Sequence, residues 1–173
     1  MRRPVPYLLA LTVTALVVTP LWWRQAAAAT ATANLSVTAT VTNNCTIGTS
    51  PVAFGSYDPI AAQAATPLDA TGTVTLTCTQ GTSRTVGLNV GSNASGSTRR
   101  LSAGVTSFLN YELYKDSGRA SIWGNSGADL LTPDVNPAAS NGAVNLTVYG
   151  RIPASQNVTA GSYSDTVVAT VTF

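Results

Sequence analysis

Apolar and polar residues alternate with a period of two along most of this chain, and helical periodicity is missing. Leu35, Val37, Ala39 and Val41 alternate with Ser36, Thr38, Thr40 and Thr42. Val74, Leu76 and Cys78 alternate with threonines, and Val86, Leu88 and Val90 form another row. Leu109, Tyr111 and Leu113 follow, then Val144, Leu146 and Val148 running on to Ile152, and finally Val167, Ala169, Val171 and Phe173. Runs of this length, rich in Val, Thr and Tyr, suit half-buried pleated strands. Gly, Asn and Pro clusters at 91–96, 116–118, 132–142 and 154–161 separate them as turns and loops. The pattern predicts strands near 45–54, 73–78, 85–90, 108–114, 143–152 and 163–173, with one more at 33–42. A short helix at 61–65 is the only helical expectation.

About six strands from Cys45 onward fall one short of a seven-stranded immunoglobulin-like sandwich. The last predicted strand reaches Phe173, so on this reading nothing after it supplies the missing one. The surplus strand is at the other end, 33–42, joined to Cys45 by Asn43 and Asn44. The expected fold is therefore all-β: an incomplete immunoglobulin-like antiparallel sandwich of about six strands plus an N-terminal donor strand. An incomplete sandwich leaves a sheet edge unpaired and part of its core uncovered. Either the N-terminal strand folds back onto its own domain, or it fills the gap in another copy by β-augmentation.

Composition fits an exported chain. Of 173 residues, 45% are hydrophobic and only 9% charged, against roughly 25% charged in an average soluble domain. Met1, Arg2 and Arg3 precede an apolar run from Tyr7 to Val18, and Ala26 to Ala29 offer small residues for a signal peptidase. The expected organisation is a signal peptide at 1–29, a donor strand at 30–43 and a single domain at 44–173. The alternative for the start is an uncleaved anchor over 4–23, flanked by Trp22, Trp23 and Arg24. Three of the nine Lys and Arg fall in the leader, leaving six basic against seven acidic residues, which argues against nucleic acid. Arg99 and Arg100 are the sole basic pair beyond the leader and read as a loop. The two cysteines, Cys45 and Cys78, lie 33 residues apart and are expected to form a structural disulfide. Closing a loop of that length stabilises a fold by ~3–4 kcal/mol in the chain-entropy account.

With these features in hand, the chain resembles the spore coat protein U domain family, which includes subunits of archaic chaperone–usher pili. The resemblance is carried by Cys45 to Gly48, Phe54 to Tyr57, Gly72 to Cys78, Arg100 and Leu101, Leu109 to Tyr114, and Trp123 with Gly124. Its strongest part is Val148 to Pro153, Gln156, Gly161 to Asp165 and a strand ending in Phe173. The resemblance implies a subunit held by a periplasmic chaperone, passed to an outer-membrane usher, and joined head to tail to identical or related subunits. Leu35, Val37, Ala39 and Val41 would then be the donor residues. The acceptor groove would be edged by the first strand after Cys45 and by the last strand. Val167, Ala169, Val171 and Phe173 would be the groove and chaperone contacts, with the Phe173 carboxylate gripped by a basic chaperone residue. Export through the periplasm to the cell surface, and a role in adhesion or biofilm, follow from the same resemblance. A spore or cell-surface coat protein, or a self-complemented binding domain, is the alternative.

Other chemistry finds little support in the sequence. The chain has no histidine, and no nucleophile elbow, P-loop or zinc spacing. No catalytic residue, cofactor, metal or small-molecule substrate is expected. Lys115 and the carboxylate pairs Glu112/Asp116 and Asp129/Asp134 read as surface or turn residues. Trp123 in its Gly/Ser-rich loop is either an exposed contact or, as we expect, a lid on the core's end. Tyr163 and Asp165 are expected to hold the start of the last strand, with the aspartate accepting from backbone N–H groups.

Overall fold

The structure, a computed structural model, describes residues 27–173. The expected leader and its anchor alternative fall almost wholly on residues 1–26, outside the described residues. Residues up to Ala39 and residues 40–173 are separate units. In the first, residues 27–39 contain no helix or strand, and the Leu35 and Val37 side chains are exposed.

The second unit is an antiparallel β-sandwich. Its strands are β1 (Cys45–Ser50), β2 (Leu68–Cys78), β3 (Thr85–Leu88), β4 (Arg99–Ala103), β5 (Ser107–Tyr114), β6 (Val144–Ile152) and β7 (Ala169–Thr172). A five-stranded sheet runs in the order β1-β2-β6-β5-β4, and a two-stranded sheet pairs β3 with β7. The alternation in the sequence decides which face is buried. Val74, Leu76 and Cys78 on β2, Leu109, Tyr111 and Leu113 on β5, and Val148 and Ile152 on β6 all point inward. Val86 and Leu88 on β3 close over them, with Trp123 wholly buried between. Cys45 pairs with Cys78 across β1 and β2, and their sulfurs form the expected disulfide.

Several boundaries differ from the sequence reading. Arg99 and Arg100, expected in a loop, begin β4, so seven strands follow the first cysteine where about six were expected. The Gly91–Gly96 turn region masked this strand, and a polar Arg-Arg start broke the apolar alternation. β7 is shorter than the predicted 163–173, because residues 163–168 divide their backbone bonds between Ser102 on one side and Asn89 and Ser92 on another instead of forming one ladder. Residues 33–42, predicted as a strand, form none here, and 61–65 is a turn closed by Gln63 N–H to the Asp58 carbonyl.

One side of the sandwich is stitched shut. Val86 and Leu131 exchange backbone bonds, Leu88 N–H donates to the Gly124 carbonyl, and the Trp123 indole donates to the Val86 carbonyl at 2.9 Å. Gly87 lets this loop lie directly on β3, since a Cβ there would stand 2.9 Å from Asn125 Cα. Arg99, 2% exposed, donates to the carbonyls of Leu88, Asn89 and Trp123 and pairs with Glu112. β4 is bridged in turn to the last segment through Ser102 and Ser164, which exchange backbone bonds of 2.8 and 3.0 Å.

Candidate strand-acceptor groove

The opposite side stays open, between the chain leaving β1 and the chain approaching β7. After Ser50, Pro51 ends the β1 ladder, having no N–H to give. The chain runs on through residues 51–57, with a left-handed step at Gly55 (φ 75°), and among the described residues its backbone makes no backbone–backbone hydrogen bond there. Val52 and Phe54 keep the alternation and turn inward, while Ala53 and Gly55 face out. They reach the inner face of the large sheet because two of its inward positions are glycine. A Cβ on Gly150 would be 2.7 Å from both Phe54 Cζ and Val52 Cγ1, and one on Gly72 would be 2.7 Å from Val52 Cγ2 and 2.9 Å from the Ser50 carbonyl.

The other rim is the last segment. Ser92 N–H donates to the Thr166 carbonyl and Asn89 N–H to the Val168 carbonyl, so the even residues point their backbone groups toward β3. In an antiparallel ladder alternate residues point to opposite edges. The N–H and C=O groups of Val167 and Ala169 are therefore turned to the open edge, while their side chains are half-buried on the core side.

Between the rims lie two adjoining hollows of about 290 Å³ and 900 Å³, sharing Val52, Phe54, Leu101 and Asp165. The floor is core: Val74, Leu88, Leu113 and Val148 under the first, Leu109 and Ile152 under the second. One polar pair interrupts it. The Tyr111 hydroxyl donates to Asp165 Oδ2 at 2.7 Å, and Asp165 Oδ1 accepts from Ser92 N–H, Asn93 N–H and the Asn93 side chain. Burial, reinforced by that bond, pushes the Tyr111 hydroxyl above the ordinary tyrosine range. Phe54 meets the Tyr111 ring edge-on, centroids 6.3 Å apart. At the far end Tyr57 donates to the Pro153 carbonyl and accepts from Gln156 N–H, fixing the end of the first rim. Such a slot offers apolar sockets in its floor and unpaired main chain on both walls, which is what an added strand requires.

Of the last-strand residues singled out in the sequence, Val167 and Ala169 line this groove. Val171 packs on the core opposite Val86 instead, and Phe173 is half exposed beyond the end of β7. Leu35, Val37 and Val41 are each more than four-fifths exposed, and Ala39 is exposed too. Trp123 is the buried lid it was expected to be, and Asp165 does hold backbone N–H groups, though those of residues 92–93. Glu112 is engaged by Arg99, Asp116 caps the turn at Ala120 and Ser121, and Lys115 donates to the Ala128 carbonyl. Sequence reasoning missed the floor residue Leu101 and the two clearing glycines. A lone glycine at an inward position of an alternating strand was the available signal.

These features define an immunoglobulin-like β-sandwich with one open side. The Spore Coat Protein U domain model matches residues 31–170. The chain is 39% identical over 162 residues to Protein U of Myxococcus xanthus, covering 86% of this chain and 88% of that protein. Among solved structures it resembles the CsuC–CsuE chaperone–tip adhesion subunit pre-assembly complex from archaic chaperone–usher Csu pili of Acinetobacter baumannii. That likeness has a TM-score of 0.55 at 27% identity over 78% of this chain, which spans 40% of the matched one. The chain belongs to the Spore Coat Protein U domain family.

Proposed function

We propose that this protein is a structural subunit of an exported surface fibre, built by donor-strand complementation along a chaperone–usher route. The observation that carries the reading is the open groove: an apolar floor, broken by the Tyr111–Asp165 pair, between two rims whose main chain lacks partners on the groove side. Its occupant in the fibre is residues 30–43 of a second copy. That segment carries no charged residue, matching a groove whose one charged lining residue among those described, Asp165, is already satisfied. From Leu35 to Val41 an extended strand covers about 20 Å. Burying Leu35, Val37 and Val41 contributes roughly 1.5–3 kcal/mol each before ordering costs. Before assembly a periplasmic chaperone fills the same groove, and an outer-membrane usher exchanges it for the next subunit. The solved pre-assembly complex of a chaperone with a tip adhesion subunit supports this order. The contact is heterologous and does not close on itself, so it builds a filament. Export to the cell surface and a part in adhesion or biofilm complete the reading. The match to Protein U supports a coat of the same subunits as a second reading, and it uses the same groove.

The test compares the mature chain with and without residues 30–42, with that segment then added as a peptide. The expected result is an SDS-resistant ladder from the full form, and a truncated form that stays unstable until the peptide restores it. Val37→Asp in the peptide abolishes the rescue. A full-length chain that is a stable monomer, with truncation costing stability and no exchange between molecules, overturns the proposal.

A further inference from the structure

A tethered strand meets its own groove at an effective concentration on the order of millimolar, so a fibre subunit has to be kept from filling itself. Resting on the donor-strand reading above, the geometry of residues 42–44 addresses this. To enter its own groove, the segment before Cys45 would turn at Asn43 and Asn44 and run back along the free edge of β1, the edge away from β2. A two-residue hairpin there would set Thr42 opposite Cys45 on that free edge. The chain instead runs straight on. Thr79 N–H donates to the Asn44 carbonyl at 2.9 Å, extending the β1–β2 ladder one step past Cys45 and Cys78. The Thr79 hydroxyl donates to the carbonyls of Thr42 and Asn44 at 3.3 and 3.4 Å. The Thr82 hydroxyl, on a fully buried residue, donates to Asn43 Oδ1 at 3.2 Å. Thr82 itself is fixed by its N–H to the Thr79 carbonyl and by Ala138 N–H to its own carbonyl. All three bonded residues thus lie on the β2 side of β1.

We infer that Asn43, Thr79 and Thr82 form a latch that holds the root of the donor segment away from the groove of its own chain and so commits that segment to a second copy. They are positioning residues: none of them lines the groove. Releasing Thr42 to the free edge breaks the Thr79 and Thr82 hydroxyl bonds and the first rung of the extended ladder together, and strands the buried Thr82 hydroxyl.

The experiment exports the full chain and its Asn43→Ala and Thr82→Val variants to the periplasm of a host. It reads the ratio of monomer to SDS-resistant multimer, and the survival of residues 30–41 in the monomer under a broad-specificity protease. Each variant is expected to raise the monomer-to-multimer ratio about tenfold. The monomers should keep residues 30–41 protected, and the double variant should add little to either single change because both remove one bond. Asn43→Ala alters an exposed side chain and keeps the test valid should Thr82→Val fail to fold. Variants that assemble like the parent overturn the latch while leaving donor-strand assembly in place. Extra monomer whose residues 30–41 are cleaved freely overturns it as well, since those bonds would then serve only the domain's stability. A parent chain that gives no ladder removes donor-strand assembly and the latch with it.

Discussion

The two sides of this sandwich are built from similar short strands and end up in opposite states. On the β3–β4 side, the loop from Ile122 to Leu131 supplies backbone partners to Val86 and Leu88, and Arg99 gathers three carbonyls beneath it. On the β1–β7 side, the chain after Pro51 passes over the core with its main chain unpaired. The difference shows that incompleteness here is a property of one edge, not of the strand total: seven strands are present after Cys45 and the groove is still open. It also separates two uses of polar chemistry. The closed side spends buried hydrogen bonds on permanence, whereas the open side keeps donors and acceptors for an incoming strand.

The largest effect should come from breaking the closed side. Arg99→Met keeps the apolar stem but deprives three buried or half-buried carbonyls and Glu112 of their donor. Removing one partner of a buried ion pair typically costs ~3–5 kcal/mol. A urea titration of the exported domain should show the midpoint falling accordingly, with the slope unchanged. A loss below about 1 kcal/mol, the range of exposed pairs, would mean that Arg99 does not close this side.

A smaller, more selective effect is expected on the open side. In Gly150→Ala the added methyl meets Phe54 and Val52 at 2.7 Å, so the rim must lift from the sheet. Overpacking of this kind costs ~1–3 kcal/mol. Because the displaced atoms are groove wall and not core, capture of the 30–42 peptide should weaken more than urea stability does. Equal losses in both measurements would place Val52 and Phe54 in the core proper. The same change at an outward glycine with open space around it, Gly48, should leave both unchanged.

How much of this was legible beforehand follows from what each signal reports. Period-two alternation reports a buried face, so the inward rows of β2, β5 and β6 and the disulfide were readable. It is silent on strands whose buried residue is polar, and β4 opens on a buried arginine. Position along the last strand was read only in part. Alternation put Val167, Ala169, Val171 and Phe173 on one face, but which of them meets the groove depends on where β3 stops: Val171 lies opposite Val86 inside the ladder, Ala169 opposite Leu88 at its end, and Val167 beyond it. Glycine at the inward positions 72 and 150 signals a close approach, but that residues 50–54 are what approaches depends on their path in three dimensions, which no local pattern contains.

The smallest expected effect sharpens the comparison at the point where the two sides meet. Tyr111 stands in the groove floor, and its partner Asp165 ties the open rim to residues 92–93 near the closed side. Tyr111→Phe keeps the ring against Phe54 and removes one bond to a carboxylate, a loss of about 1.5 kcal/mol at neutral pH. The alkaline behaviour carries the clearer signature. Folding raises the hydroxyl above its ordinary value of 10.0, chiefly by burial and then by Asp165, so the folded state favours the protonated form. That stabilisation is complete below about pH 10 and is lost progressively as the pH rises past the unfolded value toward the higher folded one. The parent domain should therefore lose stability steeply above pH 10, and Tyr111→Phe should flatten that limb. Parallel alkaline limbs in the two proteins would mean that the hydroxyl stays wet, and that the groove floor at Tyr111 is open to water instead of being part of the core.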